Sequence, residues 1–226
     1  MNKPLLVFDM DGVLVDVTES YRETIQQTVL HFTGKAISRE EIQDYKNQGG
    51  FNDDWKLSHH VIAKAGVEVA FDGVVEYFQG LFHGSDGQPG LVLREKWVAQ
   101  AGLLERLAER YGFALFTGRM RWEAEFTLNR NTTLAFDPII GMQDVVNQKP
   151  APDGLLKILE ANPGRRVWYI GDTVDDARCA RAAKVSFIGI TSPANPRYLD
   201  VVDLFIAEKA FAIIDDINYL EEVLEP

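Results

Sequence analysis

The sequence predicts an α/β protein in which a parallel sheet with flanking helices is interrupted by an inserted helical domain. Three short apolar segments, at residues 5–8, 112–116 and 167–170, each run into polar or turn residues, as buried strands of a parallel sheet do. Helical periodicity lies between them. The chain from Asp16 to about Gln100 is far longer than a simple crossover requires, so it indicates an insertion.

The first strand, Leu5-Leu6-Val7-Phe8, is followed by Asp9 and Asp11. Ligands bind at the carboxyl ends of strands in open parallel sheets. Residues two apart on an extended chain share a direction, so the two carboxylates are expected side by side. Adjacent carboxylates repel unless a cation or a shared proton relieves them. The pattern therefore favours a metal site, an acid/base pair or both, and an ordinary Asp-Gly turn is the alternative.

The second segment, Gly112 to Phe116, is followed by Thr117, Gly118 and Arg119. A helix is predicted from Arg119 to Arg130, which places Thr117-Gly118 at a strand-to-helix turn. A hydroxyl group and free backbone N–H groups at such a turn bind phosphate well. The alternative is that Thr117 is only the N-cap of the helix.

The third segment, Asn147 to Asp153, contains Lys149 and two prolines that fix the backbone after it. Asp153 is predicted to be the N-cap of the following helix. A lysine on a rigid turn can direct a fixed positive charge into a site. The alternative is a solvated surface lysine, which is the usual state of lysine.

The fourth segment, Val167 to Asp176, is a strand that ends in Gly171 and Asp172 and leads into a helix that begins with Asp175 and Asp176. Acidic residues in a first helical turn interact favourably with the helix dipole, so a capping role is open for the last two. Mg²⁺ prefers oxygen ligands and often uses one or two carboxylates together with substrate phosphate. The acids are therefore predicted as metal ligands and Lys149 and Thr117 as phosphate contacts.

These four segments, in this order, resemble the four motifs of the haloacid dehalogenase-like superfamily of aspartate-nucleophile phosphatases. The resemblance extends over the whole chain and implies a Rossmann-like parallel sheet core. Motif one falls on Asp9 and Asp11, motif two on Thr117, and motif three on Lys149. Motif four falls on Asp172 and, by its spacing, on Asp176, with Asp175 as the second choice.

The resemblance implies a two-step phosphoryl transfer. Asp9 would attack phosphorus and Asp11 would act as general acid and then base. Mg²⁺ would be held by Asp9, Asp172 and the backbone carbonyl of Asp11, with Asp176 orienting metal-bound water. Four further residues would contact the transferring group or substrate: Lys149, Thr117, Gly118 through its backbone, and Arg119. For Arg119 an outward surface role is equally open.

The insertion is predicted to be a bundle of four helices. Their signals are the apolar repeat from Glu19 to Phe32, a capping box at Ser38 and Glu41, a start at Asp53 or Asp54, and the repeat from Val69 to Phe82. This matches the helical cap that the first subclass of the family, the C1 type, places between motifs one and two. The predicted division is residues 1–15 and 99–226 for the catalytic core and 16–98 for the cap.

The loop between the second and third helices, Gln48-Gly49-Gly50-Phe51-Asn52, is predicted to contact substrate. Glycine lets its backbone approach a ligand closely, and Gly50, Phe51 and Asn52 are the proposed contacts. The alternative is an ordinary helix connection. Beyond the fourth motif, strands are predicted near Val185–Ile190 and Asp203–Ile206, and a last helix from Phe211 to Leu224.

Composition limits the classes of partner. The chain of 226 residues has a net charge of −11, which disfavours nucleic acid and anionic membranes as partners and calls for a metal where phosphate binds. It has no apolar run long enough to span a membrane, its start does not resemble a signal peptide, and its single cysteine, Cys179, is predicted to be packed in a helix. A cytoplasmic monomer or homodimer that acts on a small phosphorylated metabolite is expected.

Three alternatives to a phosphatase remain at this point. A mutase of the β-phosphoglucomutase type shares the cap and the motifs. A phosphonate hydrolase would need a cap lysine that forms a Schiff base, for which Lys46, Lys56 and Lys64 are available, although each is expected to be a solvated helix residue. A non-catalytic protein that binds phosphorylated metabolites would be expected to have lost motif residues, and none is lost. The aspartate at position 11 disfavours a dehalogenase, because a halide leaves without a proton.

Overall fold

The computed structural model describes residues 3–85 and 87–224. It divides into two compact units, Met1–Val15 with Trp97–Pro226 and Asp16–Lys96. The prediction that the chain starts without a signal peptide rests partly on Met1 and Asn2, which lie outside the described residues.

The strands are β1 (Leu5–Phe8), β2 (Val15–Asp16), β3 (Lys96–Trp97), β4 (Gly112–Phe116), β5 (Ile139–Ile140), β6 (Val167–Gly171), β7 (Ser186–Ile190) and β8 (Ala212–Ile214). The helices are α1 (Tyr21–Thr33), α2 (Arg39–Gln48), α3 (Asp54–Lys64), α4 (Phe71–His83), α5 (Leu103–Arg110), α6 (Arg121–Asn131), α7 (Asp153–Ala161), α8 (Val174–Ala183), α9 (Tyr198–Ala207) and α10 (Leu220–Val223). Short 3₁₀ turns lie at Leu91–Arg94, Met142–Asp144 and Ile217–Tyr219.

The larger unit contains a six-stranded sheet in the order β5-β4-β1-β6-β7-β8, and the pairings between its neighbouring strands are parallel. The α/β fold class predicted from the sequence is therefore confirmed. In the centre, Phe8 of β1 is in register with Leu115 of β4 and Ile170 of β6. The residues that follow these three strands consequently lie at one edge of the sheet, which is where motifs one, two and four end.

The core of this unit lies where helices pack on the sheet. Tyr169, Phe116, Phe187 and Phe205 are among its buried side chains. Cys179 belongs to the same cluster, as its position in a small-residue helix predicted. Burial of apolar area of this kind is the main favourable term in folding and holds the strand ends in place.

The smaller unit is helical, with α1 packed against α3 and α4. The Ser38–Glu41 capping box forms as predicted, and Asp53 caps α3 by accepting from the backbone N–H groups of Trp55 and Lys56. Its core includes Tyr21, whose ring centroid lies 4.1 Å from that of Phe82. The predicted four helices are thus present, whereas their role as a cap stays a prediction.

The end of the chain differs from the prediction in two places. Asp203–Ile206 is not a strand but part of α9, because Val201 and Phe205, four residues apart, are buried on one helix face. Phe211–Leu224 is not one helix, since Ala212–Ile214 forms strand β8 at the edge of the sheet, and only a 3₁₀ turn and the four-residue helix α10 follow it. Among the described helices, none is both long and apolar enough to cross a membrane.

Candidate active site

The site is centred on Asp9, directly after the central strand. Its backbone N–H donates to the carbonyl oxygen of Ile170 at 2.8 Å, so the β1–β6 pairing holds this residue in place. Its side chain is buried, and Lys149 Nζ lies 3.0 Å from Asp9 Oδ1. A buried carboxylate is costly unless it is paired, and this contact offsets part of that cost for Asp9.

Lys149 is buried and its ammonium group contacts two acids. Besides Asp9, its Nζ lies 2.7 Å from Asp176 Oδ1. It also lies over the rings of Phe116 and Tyr169, at 4.8 and 5.4 Å from their centroids. The alternative of a solvated surface lysine is therefore wrong: the turn directs the positive charge inward, into the acid cluster.

Asp176 is surrounded by donors. The Tyr169 hydroxyl donates to Oδ1 at 2.6 Å, and the backbone N–H and hydroxyl of Thr173 donate to Oδ2 at 3.0 and 2.6 Å. Thr173 is also the N-cap of α8 and forms a capping box with Asp176. The capping role left open for Asp176 thus coexists with its contact to Lys149.

Sequence reasoning missed both Tyr169 and Thr173. The spacing Thr173-x-x-Asp176 is a capping-box signal that could have identified the second. No comparable signal existed for Tyr169, because its hydroxyl reaches Asp176 only when strand β6 and helix α8 have folded against each other.

Burial and charge act on these groups in opposite directions. Burial raises the pKa of Asp9, and the neighbouring carboxylates of Asp176, Asp172 and Asp11 add to this against the opposing effect of Lys149. Burial also acts to raise the pKa of Asp176, but Lys149 together with hydrogen bonds from Thr173 and Tyr169 outweighs it and holds this pKa below its ordinary value. Burial acts to lower the pKa of Lys149, and the carboxylates of Asp176 and Asp9 hold it above its ordinary value.

Asp172 approaches the cluster across a glycine. A Cβ at Gly12, which has φ +73°, would lie 2.0 Å from Asp172 Oδ2, so only glycine permits this approach. Carboxylate oxygens of Asp9, Asp172 and Asp176 lie within 4.8 Å of one another. This all-oxygen donor set fits a hard divalent cation. The donors already on both oxygens of Asp176 favour Asp9 and Asp172 as the direct ligands.

Thr117 and Gly118 follow β4 at the same edge of the sheet. Thr117 is buried and its Oγ1 accepts from the backbone N–H of Arg119 at 3.1 Å. Helix α6 begins only at Arg121, with Met120 in the N-cap position, so the alternative that Thr117 caps this helix is wrong. The predicted helix start at Arg119 was two residues early.

Arg119 is buried, so the alternative of an outward surface role is also wrong. Its guanidinium contacts the Asp11 carboxylate. The structure does not test the predicted contact with substrate, but it assigns this side chain a partner in motif one that sequence reasoning missed. The two residues are 108 positions apart, and no local pattern links them.

Two further predicted positions differ in detail or lie elsewhere. Asp153 is the first residue of α7 rather than its N-cap, and its carboxylate accepts from the backbone and side-chain amides of Asn147. Gly50, Phe51 and Asn52 lie in the smaller unit between α2 and α3, where the ring of Phe51 contacts Tyr45 and His60. Their predicted role in substrate binding stays a prediction.

Fold and site together place an acidic centre, whose oxygen donors fit a divalent cation, at the carboxyl edge of a parallel sheet. Residues 4–184 match the model of the haloacid dehalogenase-like hydrolase family, and the chain belongs to this family. The resemblance to this family and the prediction of an enzyme are confirmed.

Relatives and solved structures agree with the family. The chain is 32% identical over 197 residues to an imidazoleglycerol-phosphate dehydratase of Phytophthora nicotianae, a match that covers 83% of this chain but only 43% of that protein. It is 24% identical over 207 residues to a phosphoglycolate phosphatase of Mesorhizobium japonicum, covering 88% and 87% of the two chains. A haloacid dehalogenase-like protein of Agrobacterium tumefaciens has the same fold, with TM-score 0.72, 22% identity and coverage of 99% and 98%. The phosphatase name among these relatives is consistent with the predicted phosphatase.

Proposed function

We propose that this protein is a Mg²⁺-dependent phosphatase that hydrolyses a small phosphate monoester through a phosphorylated Asp9. The observation that carries the proposal is the buried Asp9, held 3.0 Å from Lys149 at the end of the central strand. A paired, desolvated carboxylate at the ligand-binding edge of the sheet is placed to act as a nucleophile. Membership in the hydrolase family supports the same chemistry.

The cation would be held by Asp9 and Asp172. The cluster of Asp9, Asp11, Asp172 and Asp176 contains four carboxylates, against which the buried Lys149 and Arg119 supply two positive charges. A divalent cation would offset the remaining negative charge. When bound, Mg²⁺ supplies electrostatic stabilisation of the phosphoryl oxygens.

The chain's own residues perform the two transfers. In the first, a carboxylate oxygen of Asp9 bonds to phosphorus, the ester P–O bond breaks, and the proton of Asp11 passes to the leaving oxygen. In the second, water bonds to phosphorus, its proton passes to Asp11, and the bond between Asp9 and phosphorus breaks to release phosphate. Lys149 and Thr117 bind the phosphoryl oxygens and keep the group in line.

The decisive experiment measures phosphate release from p-nitrophenyl phosphate with Mg²⁺, with excess chelator, and with Asp9→Asn. Activity is expected to require Mg²⁺, and Asp9→Asn is expected to retain below about 1% of it, because the nucleophile is removed while the side-chain volume is kept. The variant should keep the circular dichroism spectrum of the parent protein. Full activity in chelator, or substantial turnover by folded Asp9→Asn, would exclude this mechanism.

A mutase is the competing activity, because it would use the same phosphorylated aspartate and return the group to a sugar. Incubation with β-glucose 1-phosphate separates the two: a phosphatase releases inorganic phosphate, whereas a mutase produces an isomeric sugar phosphate. Binding of phosphorylated metabolites without any turnover in Mg²⁺ would instead support a non-catalytic protein.

Two relatives suggest which esters to test first. Phosphoglycolate is the first candidate, from a relative that matches 88% of this chain. Phosphate esters that carry an imidazole, such as imidazoleglycerol phosphate, are the second, because part of a dehydratase named for that compound matches 83% of this chain. A panel that contains both, together with other phosphorylated acids and sugars, should show one ester with a kcat/KM well above that of p-nitrophenyl phosphate.

A further inference from the structure

Arg119, like Lys149, is a buried cation of the larger unit, and its guanidinium binds one oxygen of Asp11. Nε and Nη2 donate to Asp11 Oδ1 at 2.8 and 2.5 Å. The Arg119 side chain is only 1% exposed, whereas that of Asp11 is 29% exposed. The arginine thus holds the carboxylate from its buried side.

Arg119 is itself fixed by contacts on two sides. Its Nη1 donates at 3.1 Å to Oγ1 of Thr127, which is buried in α6. Its backbone N–H donates to Thr117 Oγ1 at 3.1 Å. A guanidinium held in this way is a planar donor with little freedom to follow a moving carboxylate, so it determines where Asp11 lies.

We propose that Arg119 is a positioning residue that fixes Asp11 as the general acid and limits proton transfer to the Oδ2 atom. Both hydrogen bonds from Arg119 fall on Oδ1 and occupy its two lone pairs. The proton of the acid form therefore resides on Oδ2. This inference rests on the proposed role of Asp11, and it assigns Arg119 to the acid rather than to the substrate.

The proton on Oδ2 passes to the ester oxygen as the bond between that oxygen and phosphorus breaks and the bond from Asp9 forms. In the second step Oδ2 accepts a proton from the attacking water. General acid catalysis matters most when the leaving oxygen is basic. Phenyl phosphate has a basic leaving group, phenolate, whereas p-nitrophenyl phosphate has almost the same shape and a weakly basic one. A displaced Asp11 should therefore slow hydrolysis of phenyl phosphate more than hydrolysis of p-nitrophenyl phosphate.

The experiment compares kcat/KM for these two esters in Arg119→Met, Arg119→Lys and Thr127→Val. Arg119→Met is expected to lose about tenfold more activity on phenyl phosphate than on p-nitrophenyl phosphate, because the acid is no longer held. Arg119→Lys keeps the charge but not the planar donor pair, so it should show a smaller difference in the same direction. Thr127→Val, which keeps Arg119 and removes one of its supports, should show the smallest.

Arg121→Met is the matched control. Arg121 also pairs with an acid, Asp144, but it lies outside the acid cluster and is half exposed. It should leave the ratio of the two activities unchanged. If Arg119→Met does not fold, as judged by circular dichroism, the other two variants carry the test.

Asp11→Asn separates the failure of this inference from the failure of the proposed function. It should show the largest difference between the two esters. If Asp11→Asn shows that difference and folded Arg119 and Thr127 variants lose equally on both esters, the positioning role is wrong. If Asp11→Asn itself loses equally on both, the acid role proposed for Asp11 is wrong and the role of Arg119 falls with it.

Discussion

Two lysines are buried among the residues that the structure describes, Lys149 in the larger unit and Lys46 in the smaller one. Lys149 contacts Asp9 and Asp176, while Lys46 Nζ lies 2.6 Å from Asp54 Oδ1. Both contacts are short and both pairs are desolvated. Burial and ion pairing alone therefore do not distinguish a candidate catalytic lysine from a structural one.

The local structure around each lysine does distinguish them. Lys46 lies in the last turn of α2 and Asp54 in the first turn of α3, where the helix dipoles favour a cation and an anion respectively. That pair is explained by the connection of two helices. Lys149 lies outside any helix or strand and contacts two acids, Asp9 after β1 and Asp176 in the first turn of α8. The helix end accounts for Asp176, but no helix end accounts for the buried Asp9.

The expectation that Lys46, Lys56 and Lys64 are all solvated is thus wrong for Lys46. Lys56 and Lys64 are exposed, as expected. A burial-based search for a Schiff-base lysine in the helical unit would select Lys46, yet its carboxylate partner accounts for its burial.

The largest effect on activity is expected from replacing Lys149, the lysine in the acid cluster. Lys149→Met should reduce kcat on p-nitrophenyl phosphate by about 10²–10³-fold, because a preorganised positive charge at the phosphoryl group is lost. It should also destabilise the fold, since Asp9 and Asp176 are left buried without their cation. Steady-state kinetics and urea unfolding measure the two effects. A folded variant with nearly full kcat would show that Lys149 is structural, as Lys46 is proposed to be.

Lys46 is expected to show the opposite pattern. Lys46→Met should cost about 3–5 kcal/mol of unfolding free energy, because the buried Oδ1 atom of Asp54 would be left without its cation. The double variant Lys46→Met with Asp54→Leu should recover most of this loss, since a buried ion pair can be replaced by apolar residues of similar size at little cost. Where the variants are folded, kcat on p-nitrophenyl phosphate should equal that of the parent. A large fall in kcat in the stable double variant would contradict a purely structural pair.

A smaller change tests whether the surroundings of Lys149 matter for catalysis: the removal of the Tyr169 hydroxyl. Tyr169→Phe keeps the ring over which Lys149 lies and removes the hydroxyl that donates to Asp176. The loss of one buried hydrogen bond to a charged group should cost about 1.5–3 kcal/mol of stability. We expect kcat to fall about tenfold as well, because Asp176 and thereby Lys149 are held less firmly.

The control for Tyr169→Phe is Tyr111→Phe. Tyr111 is also buried in the larger unit, and its hydroxyl donates to the backbone carbonyl of Leu224 at 3.0 Å, away from the acid cluster. Tyr111→Phe should lower the free energy of unfolding and leave kcat unchanged. If the two variants have the same kinetic parameters, Tyr169 contributes only to packing.

The buried lysines also show what the sequence could and could not predict. Lys149 and the acids follow strands or precede helices, and that context is local, so the motifs and the edge at which they meet were predictable. The pairing of Arg119 with Asp11 depends on strands β1 and β4 lying side by side, which no local pattern encodes. For the same reason the sequence predicts a helix across Ala212–Ile214, a three-residue edge strand that is defined by its pairing with β7 more than by its own residues.

The smallest expected effect concerns the loop that follows Lys46. We propose that the helical unit is the cap of this enzyme and that its loop contributes to substrate choice. Phe51 is held by the rings of Tyr45 and His60, with centroids 5.5 and 5.0 Å away, so its position is fixed within that unit.

Phe51→Ala or Asn52→Ala should raise KM several-fold for the ester that the panel selects, because contacts to its remote part would be lost. On p-nitrophenyl phosphate, KM and kcat should change much less, since the phosphoryl chemistry is retained. Equal losses on both esters, together with a lower melting temperature, would show that these residues only stabilise the helical unit, as the Lys46–Asp54 pair does.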